Sequence, residues 1–92
     1  MSDKVGPVLQ ASELGRAVVS AILELNPGAE VIDRGAYYRV QVAGRCSLTR
    51  AAVERIIGRP FLLPGDLEQL MPSFAGRLSF GVGAVHWTHE VA

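Results

Sequence analysis

Apolar residues recur at steps of three and four from Leu14. Ala17, Val18, Ala21, Ile22 and Leu25 continue one stripe, while Arg16, Ser20 and Glu24 fall elsewhere. That period predicts an amphipathic helix over residues 13–25. Ser12 stands where an N-cap hydroxyl accepts a first-turn amide, and Glu13 suits the positive end of the helix dipole. Asn26-Pro27-Gly28 stops this helix, because a proline disfavours helical geometry at the residue before it. The same reasoning predicts a second helix over residues 50–57. Ala52, Val53, Ile56 and Ile57 form its stripe, Ser47 or Thr49 caps it, Gly58 ends it and Pro60 bars continuation. Asp66 is placed to cap one further turn, Leu67–Met71, before Pro72.

Elsewhere the period is two. Tyr38, Val40 and Val42 alternate with Tyr37, Arg39 and Gln41, predicting a strand with one buried and one wetter face. Arg34-Gly35 joins it to a strand at residues 29–33. Leu78–Val82 and Ala84–Thr88 alternate about Gly83 as a terminal hairpin. Val5–Gln10 is apolar, but Pro7 has no amide proton. As a strand this run belongs at a sheet edge or starts after the proline. The order predicts an α+β fold: two strand-helix-strand-strand units packed as one compact α/β sandwich with largely antiparallel sheets. Residues 1–92 form a single domain, with residues 1–4 frayed, and Gly58–Arg77 is the join between the units.

Composition narrows the function classes. A chain of 92 residues supports one small core. A formal net charge of +0 supplies no global field to recruit nucleic acid or an anionic membrane. The one cysteine, Cys46, cannot form an internal disulfide and fits a reducing compartment. No apolar run reaches a signal-peptide core or a membrane span of roughly 18 residues. These features read as a soluble cytoplasmic protein.

Candidate chemistry is sparse. His86 and His89 lie three apart, and on a strand that spacing sends them to opposite faces rather than to one metal. Cys46 stands beside Arg45, but a small buried side chain accounts for it better than a nucleophile does. Gly81-Val82-Gly83 matches neither the dinucleotide fingerprint nor the P-loop. Asp33, Glu54, Asp66, Glu68 and Glu90 are scattered. Arg34, Tyr37, Tyr38 and Arg39 interleave basic and aromatic groups, as single-strand nucleic-acid platforms do, but the balanced charge argues against that use. Arg50, Arg55 and Arg59 read as a solvated helix face.

Several stretches, taken in order, resemble a known family. They are Val5-Gly6-Pro7-Val8, Asn26-Pro27-Gly28-Ala29-Glu30, Asp33-Arg34-Gly35-Ala36-Tyr37-Tyr38-Arg39-Val40, Leu48-Thr49-Arg50, Gly58-Arg59-Pro60-Phe61 and Ser73-Phe74-Ala75-Gly76-Arg77. Each is short, and the ordered set, from about residue 5 to 82, is specific. The set is similar to the effector, or coupling, proteins of soluble di-iron bacterial multicomponent monooxygenases, which serve methane, phenol, toluene and alkene oxidation. Gly58-Arg59-Pro60-Phe61 and the Tyr37-Tyr38 pair lean towards the aromatic and alkene systems. No counterpart of the methane-system protein's long N-terminal tail precedes Val5, so that tail's functions are not carried over.

The resemblance implies a non-catalytic protein without cofactor or metal. It implies a single partner class, the di-iron hydroxylase, with no nucleic acid and no membrane. Docking would shift hydroxylase helices and tune oxygen activation, substrate access and electron-transfer coupling. It also implies a hydroxylase-binding set: Asn26, Arg34, Tyr37, Arg39, Ser73, Phe74 and Arg77. Turn and core roles would select Asn26 and Phe74 equally well. The alternatives are a small α+β regulatory domain holding a metabolite in a sheet cleft, and a small metalloenzyme using Cys46, His86 and His89.

Overall fold

Each of the two longer helices starts on a hydroxyl. In the computed structural model, which describes residues 3–89, Ser12 Oγ accepts the Gly15 amide at 3.0 Å and Thr49 Oγ1 accepts the Ala52 amide at 3.2 Å. The helices that follow are α1 (Glu13–Leu25) and α2 (Arg50–Ile57), with the predicted boundaries. Gly58 closes α2 in the left-handed region at φ 71°. A six-residue helix, α3 (Gly65–Leu70), lies further on. It starts at Gly65 with no side-chain cap. Asp66 instead accepts the Leu62 amide at 2.8 Å, fastening the loop that leads into the helix.

Among the described residues there are also seven strands: β1 (Lys4–Gln10), β2 (Glu30–Asp33), β3 (Tyr37–Ala43), β4 (Arg45–Thr49), β5 (Ser73–Ala75), β6 (Arg77–Gly81) and β7 (Ala84–Thr88). They form a four-stranded sheet, β2-β3-β1-β5, and a three-stranded sheet, β4-β7-β6, with every pairing antiparallel. Within β1-α1-β2-β3 the sheet order is first, third, second strand. Within β4-α2-β6-β7 it is the same. The expected pair of strand-helix-strand-strand units is therefore present, but the join between them is Gly44, not Gly58–Arg77, which lies inside the second unit and carries the inserted α3 and β5. Of the residues expected to fray, Met1 and Ser2 lie outside the described residues, and Lys4 opens β1.

The expectation for Pro7 is corrected. β1 is an interior strand, and Pro7 sits in its middle, fully buried. The pairing with β3 joins Val5 to Val42 and resumes with Val8 and Arg39, skipping Gly6 and Pro7, so no amide is demanded there. Gly6 makes the skip possible: at φ 146° a Cβ would lie 2.5 Å from the Val40 carbonyl oxygen. On the other side Pro7 faces only the three-residue strand β5.

One core serves both sheets. Val5, Leu9, Val40 and Val42 face inward from the larger sheet, and Cys46, Leu48, Val85 and Trp87 from the smaller. Val18, Ala21 and Ile22 of α1 and Ala52 and Val53 of α2 pack with them. Phe61, which sequence patterning leaves in a connection, is completely buried, and its amide donates to Glu54 Oε2 at 2.9 Å.

Asn26 ties the units together. Its carboxamide accepts the Ser47 amide at 2.9 Å and donates to the Ser47 carbonyl at 2.7 Å and the Ile22 carbonyl at 2.7 Å. The end of α1 is thereby fixed to the outer edge of β4. Asn26→Ala leaves those Ser47 groups without their protein partner and is expected to cost about 2–4 kcal/mol. That should lower the midpoint of thermal unfolding by roughly 10 °C or more. Asn26→Asp would point a carboxylate at two carbonyls, raising its folded-state pKa above the usual value of about 4. Its stability deficit should therefore be smallest at acid pH and grow as pH rises through that raised pKa, as denaturant melts across pH can check.

Candidate functional site

The β2–β3 turn sets the first part of the site. The Asp33 carboxylate accepts the Gly35 amide at 2.8 Å, and the Arg34 amide donates to the Tyr37 carbonyl at 2.9 Å. Arg34 is thus held at the turn, with Tyr37 and Arg39 on one outward face of β3 two residues apart. Tyr37 is 41% exposed. Tyr38, between them, turns to the core margin, so the aromatic-basic cluster of the sequence is split across the sheet.

The register carries the site across the sheet. Arg39 opposes Val8, and Val8 opposes Ser73 of β5. An open cleft of about 390 Å³ results, lined by Val8, Arg34, Tyr37, Arg39, Pro72 and Ser73. Arg34, Tyr37, Arg39 and Ser73 therefore converge. Val8 and Pro72 were not anticipated. The signal for Val8 was its place between the inward residues Pro7 and Leu9, which pointed it outward.

The other anticipated residues sit elsewhere. Phe74, the next residue on β5, pairs with Pro7 and so alternates to the other face of the sheet from Ser73, where it remains 43% exposed at the edge. Arg77 lies on β6 of the smaller sheet, opposite Thr88. Asn26 is buried, with its side chain committed to Ser47 and Ile22. Among the described residues, Arg34, Arg39 and Arg77 form no ion pair; the pairs are Lys4–Glu30, Arg50–Glu54 and Arg55–Glu24. The cleft thus presents guanidinium groups without ion-pair partners among the described residues, beside an aromatic ring.

Groups considered for catalysis are occupied otherwise. Asp33, Glu54 and Asp66 each hold a loop amide, and Glu90 lies outside the described residues. Cys46 faces the core opposite Trp87, whereas His86, the next residue along β7, points outward, so the two are not brought to one site. Among the described residues no group of three or more His, Cys, Asp or Glu side chains is arranged to hold a metal ion, and no helix is long and apolar enough to cross a membrane.

Comparison with known proteins bears on this surface. The model of the MmoB/DmpM family matches residues 3–88. The effector subunit of the alkene monooxygenase system of Xanthobacter autotrophicus (strain ATCC BAA-1158 / Py2) is 42% identical over 88 residues, covering 94% of this chain and 86% of that protein. A chain in the phenol hydroxylase–regulatory protein complex has the same fold at a TM-score of 0.81 and 26% identity, with 92% of this chain and 98% of that one covered. The soluble methane monooxygenase regulatory protein B matches at a TM-score of 0.75 and 25% identity, covering 99% of this chain and 68% of that one.

Burial pushes the Cys46 thiol from its ordinary value of 9.0 up to about 12. The folded protein keeps this proton where the unfolded chain loses it, so its contribution to stability is lost as pH climbs from about 9 towards 12. In the native state at pH 8, Cys46 should resist a disulfide-exchange reagent, reacting only at the rate of opening or unfolding. Rapid labelling of the folded protein would contradict this packing.

Proposed function

This chain belongs to the MmoB/DmpM family, and from that premise we propose that it is the effector subunit of a multicomponent monooxygenase, regulatory rather than catalytic. It acts by docking on the di-iron hydroxylase component of a cytoplasmic alkene- or aromatic-oxidising system. There it tunes oxygen activation, substrate access and the coupling of electron transfer.

The observation that carries this reading is the cleft of Arg34, Tyr37, Arg39 and Ser73 on the uncovered face of the larger sheet. An aromatic ring and unpaired guanidiniums around a concavity suit an interface anchor. Phe74 extends the contact at the sheet edge, Arg77 adds a charge beyond it, and Asn26 acts from within by fixing β4. Regulation at a distance requires only that the protein bind one hydroxylase conformation better than another. A 100-fold difference in affinity between two conformations moves their equilibrium by about 2.7 kcal/mol.

The test is titration into a reconstituted hydroxylase and reductase system of the alkene type. The rate of product formation and the product formed per reductant consumed should both change and then saturate. Tyr37→Ala and Arg39→Ala should each weaken hydroxylase binding roughly tenfold while leaving the melting temperature nearly unchanged. Unaltered rate, coupling and regioselectivity on addition of the protein would defeat the reading. A ligand-induced rise in melting temperature without any hydroxylase would favour metabolite binding in the cleft instead.

A further inference from the structure

The smaller sheet carries a surface that the cleft does not use. On its outer face, cross-strand pairing sets Arg45, Thr88 and Arg77 in one row and Ser47, His86 and Ser79 in the next. Strand spacing puts the two arginine backbones roughly 10 Å apart. Among the described residues neither arginine is ion-paired, and none of these six side chains is a carboxylate. The chain as a whole balances nine acidic against nine basic residues, so six neighbouring side chains with two arginines and no carboxylate are a local segregation of charge.

Hydrogen bonding fixes what the face offers. Arg45 Nη2 lies 3.3 Å from His86 Nδ1, and Ser47 Oγ lies 3.0 Å from the same nitrogen. A guanidinium can only donate, so Nδ1 is the acceptor and the Ser47 hydroxyl donates to it as well. The ring proton is then on Nε2, as a further donor. The centre of the face therefore offers an imidazole N–H and a guanidinium on opposite sides of the ring, each a donor for a separate carboxylate.

We propose that this face is a second docking surface, occupied by an acidic segment of a protein partner whose carboxylates engage Arg45, Arg77 and His86 Nε2. The inference rests on the effector reading for the existence of protein partners. Charge complementarity identifies the occupant. The face shares no residue with the lining of the cleft; Arg77 alone also belongs to the wider hydroxylase contact, so Arg45 and His86 are what distinguish this surface.

The probe is a decamer of glutamate, titrated into the full-length protein at low ionic strength and followed by amide and side-chain NMR. Shifts confined to β4, β6 and β7 and to the Arg45 and Arg77 side chains are expected, with His86 as the Nε2–H tautomer. Arg45→Glu/Arg77→Glu should weaken peptide binding at least about tenfold, and Arg45→Gln/Arg77→Gln by less. Circular dichroism melts check that both variants remain folded. An oligonucleotide of equal charge binding more tightly at this face would overturn the carboxylate assignment. Peptide shifts centred on Arg34 and Arg39, or no shifts at all, would overturn the second surface. Neither result touches the effector reading if Tyr37→Ala still weakens hydroxylase binding. If wild-type protein fails to bind hydroxylase while the glutamate peptide still maps to this face, the effector reading fails and the surface stands.

Discussion

The structure depends on one side chain that behaves as a fragment of β-strand. β4 is an edge strand, so Ser47 presents an amide and a carbonyl with no neighbouring backbone to meet them. The carboxamide of Asn26 satisfies both, as a paired strand would. The same carboxamide also holds the Ile22 carbonyl in the last turn of α1. One buried group thus satisfies a helix end and a sheet edge and sets where the second unit lies against the first. Alanine could not do this, and aspartate lacks the donors that the two carbonyls require.

With that join fixed, the two units show the same design. Each runs strand, helix, strand, strand, and each places its third strand between the first and second. Each caps its helix with a hydroxyl that accepts the amide three residues on. Sheet-to-sheet passage occurs at single glycines. Gly44 separates β3 from β4, and Gly76 separates β5 from β6. At Gly76 a Cβ would lie 2.6 Å from Val5 Cγ1 and 2.8 Å from the Thr88 carbonyl oxygen, so the chain crosses there only because nothing projects from it. The inner faces merge into one core, and the outer faces are left to carry function.

Periodicity made most of this legible. Both longer helices, the β2–β3 hairpin and the β6–β7 hairpin follow from steps of three and four or of two. What was not legible depends on contacts distant in sequence. β4 alternates Cys46 and Leu48 inward, but its five residues lie between a glycine and a helix cap, and Ser47 and Thr49 were readable as capping residues. β5, with three residues, is too short to show a period and exists only through its pairing with β1. The interior position of Pro7 was hidden for the same reason. A skipped rung in a ladder is a property of two strands together, and only Gly6 marked it. At the site, Arg34, Tyr37, Arg39 and Ser73 were named from a resemblance, but their convergence comes from the register through Val8. Asn26 was named with them and turned inward.

Those differences bear on how a protein of this kind can regulate. Three of its carboxylates, Asp33, Glu54 and Asp66, hold loops, and its thiol is sealed in the core. Its arginines at the cleft and on the smaller sheet, by contrast, form no ion pair among the described residues. Exposed guanidiniums left unpaired contribute little to folding, yet they set register and encounter rate when an acidic surface approaches. Rigidity then matters more than chemistry. A partner's conformational equilibrium moves only as far as binding free energy differs between its states. A surface that yielded to both states would discriminate neither. The buried Asn26 join, the glycine crossings and the continuous core keep the outer faces in fixed relation to the rest of the chain. That fixed geometry is what would let a small protein prefer one shape of a larger one.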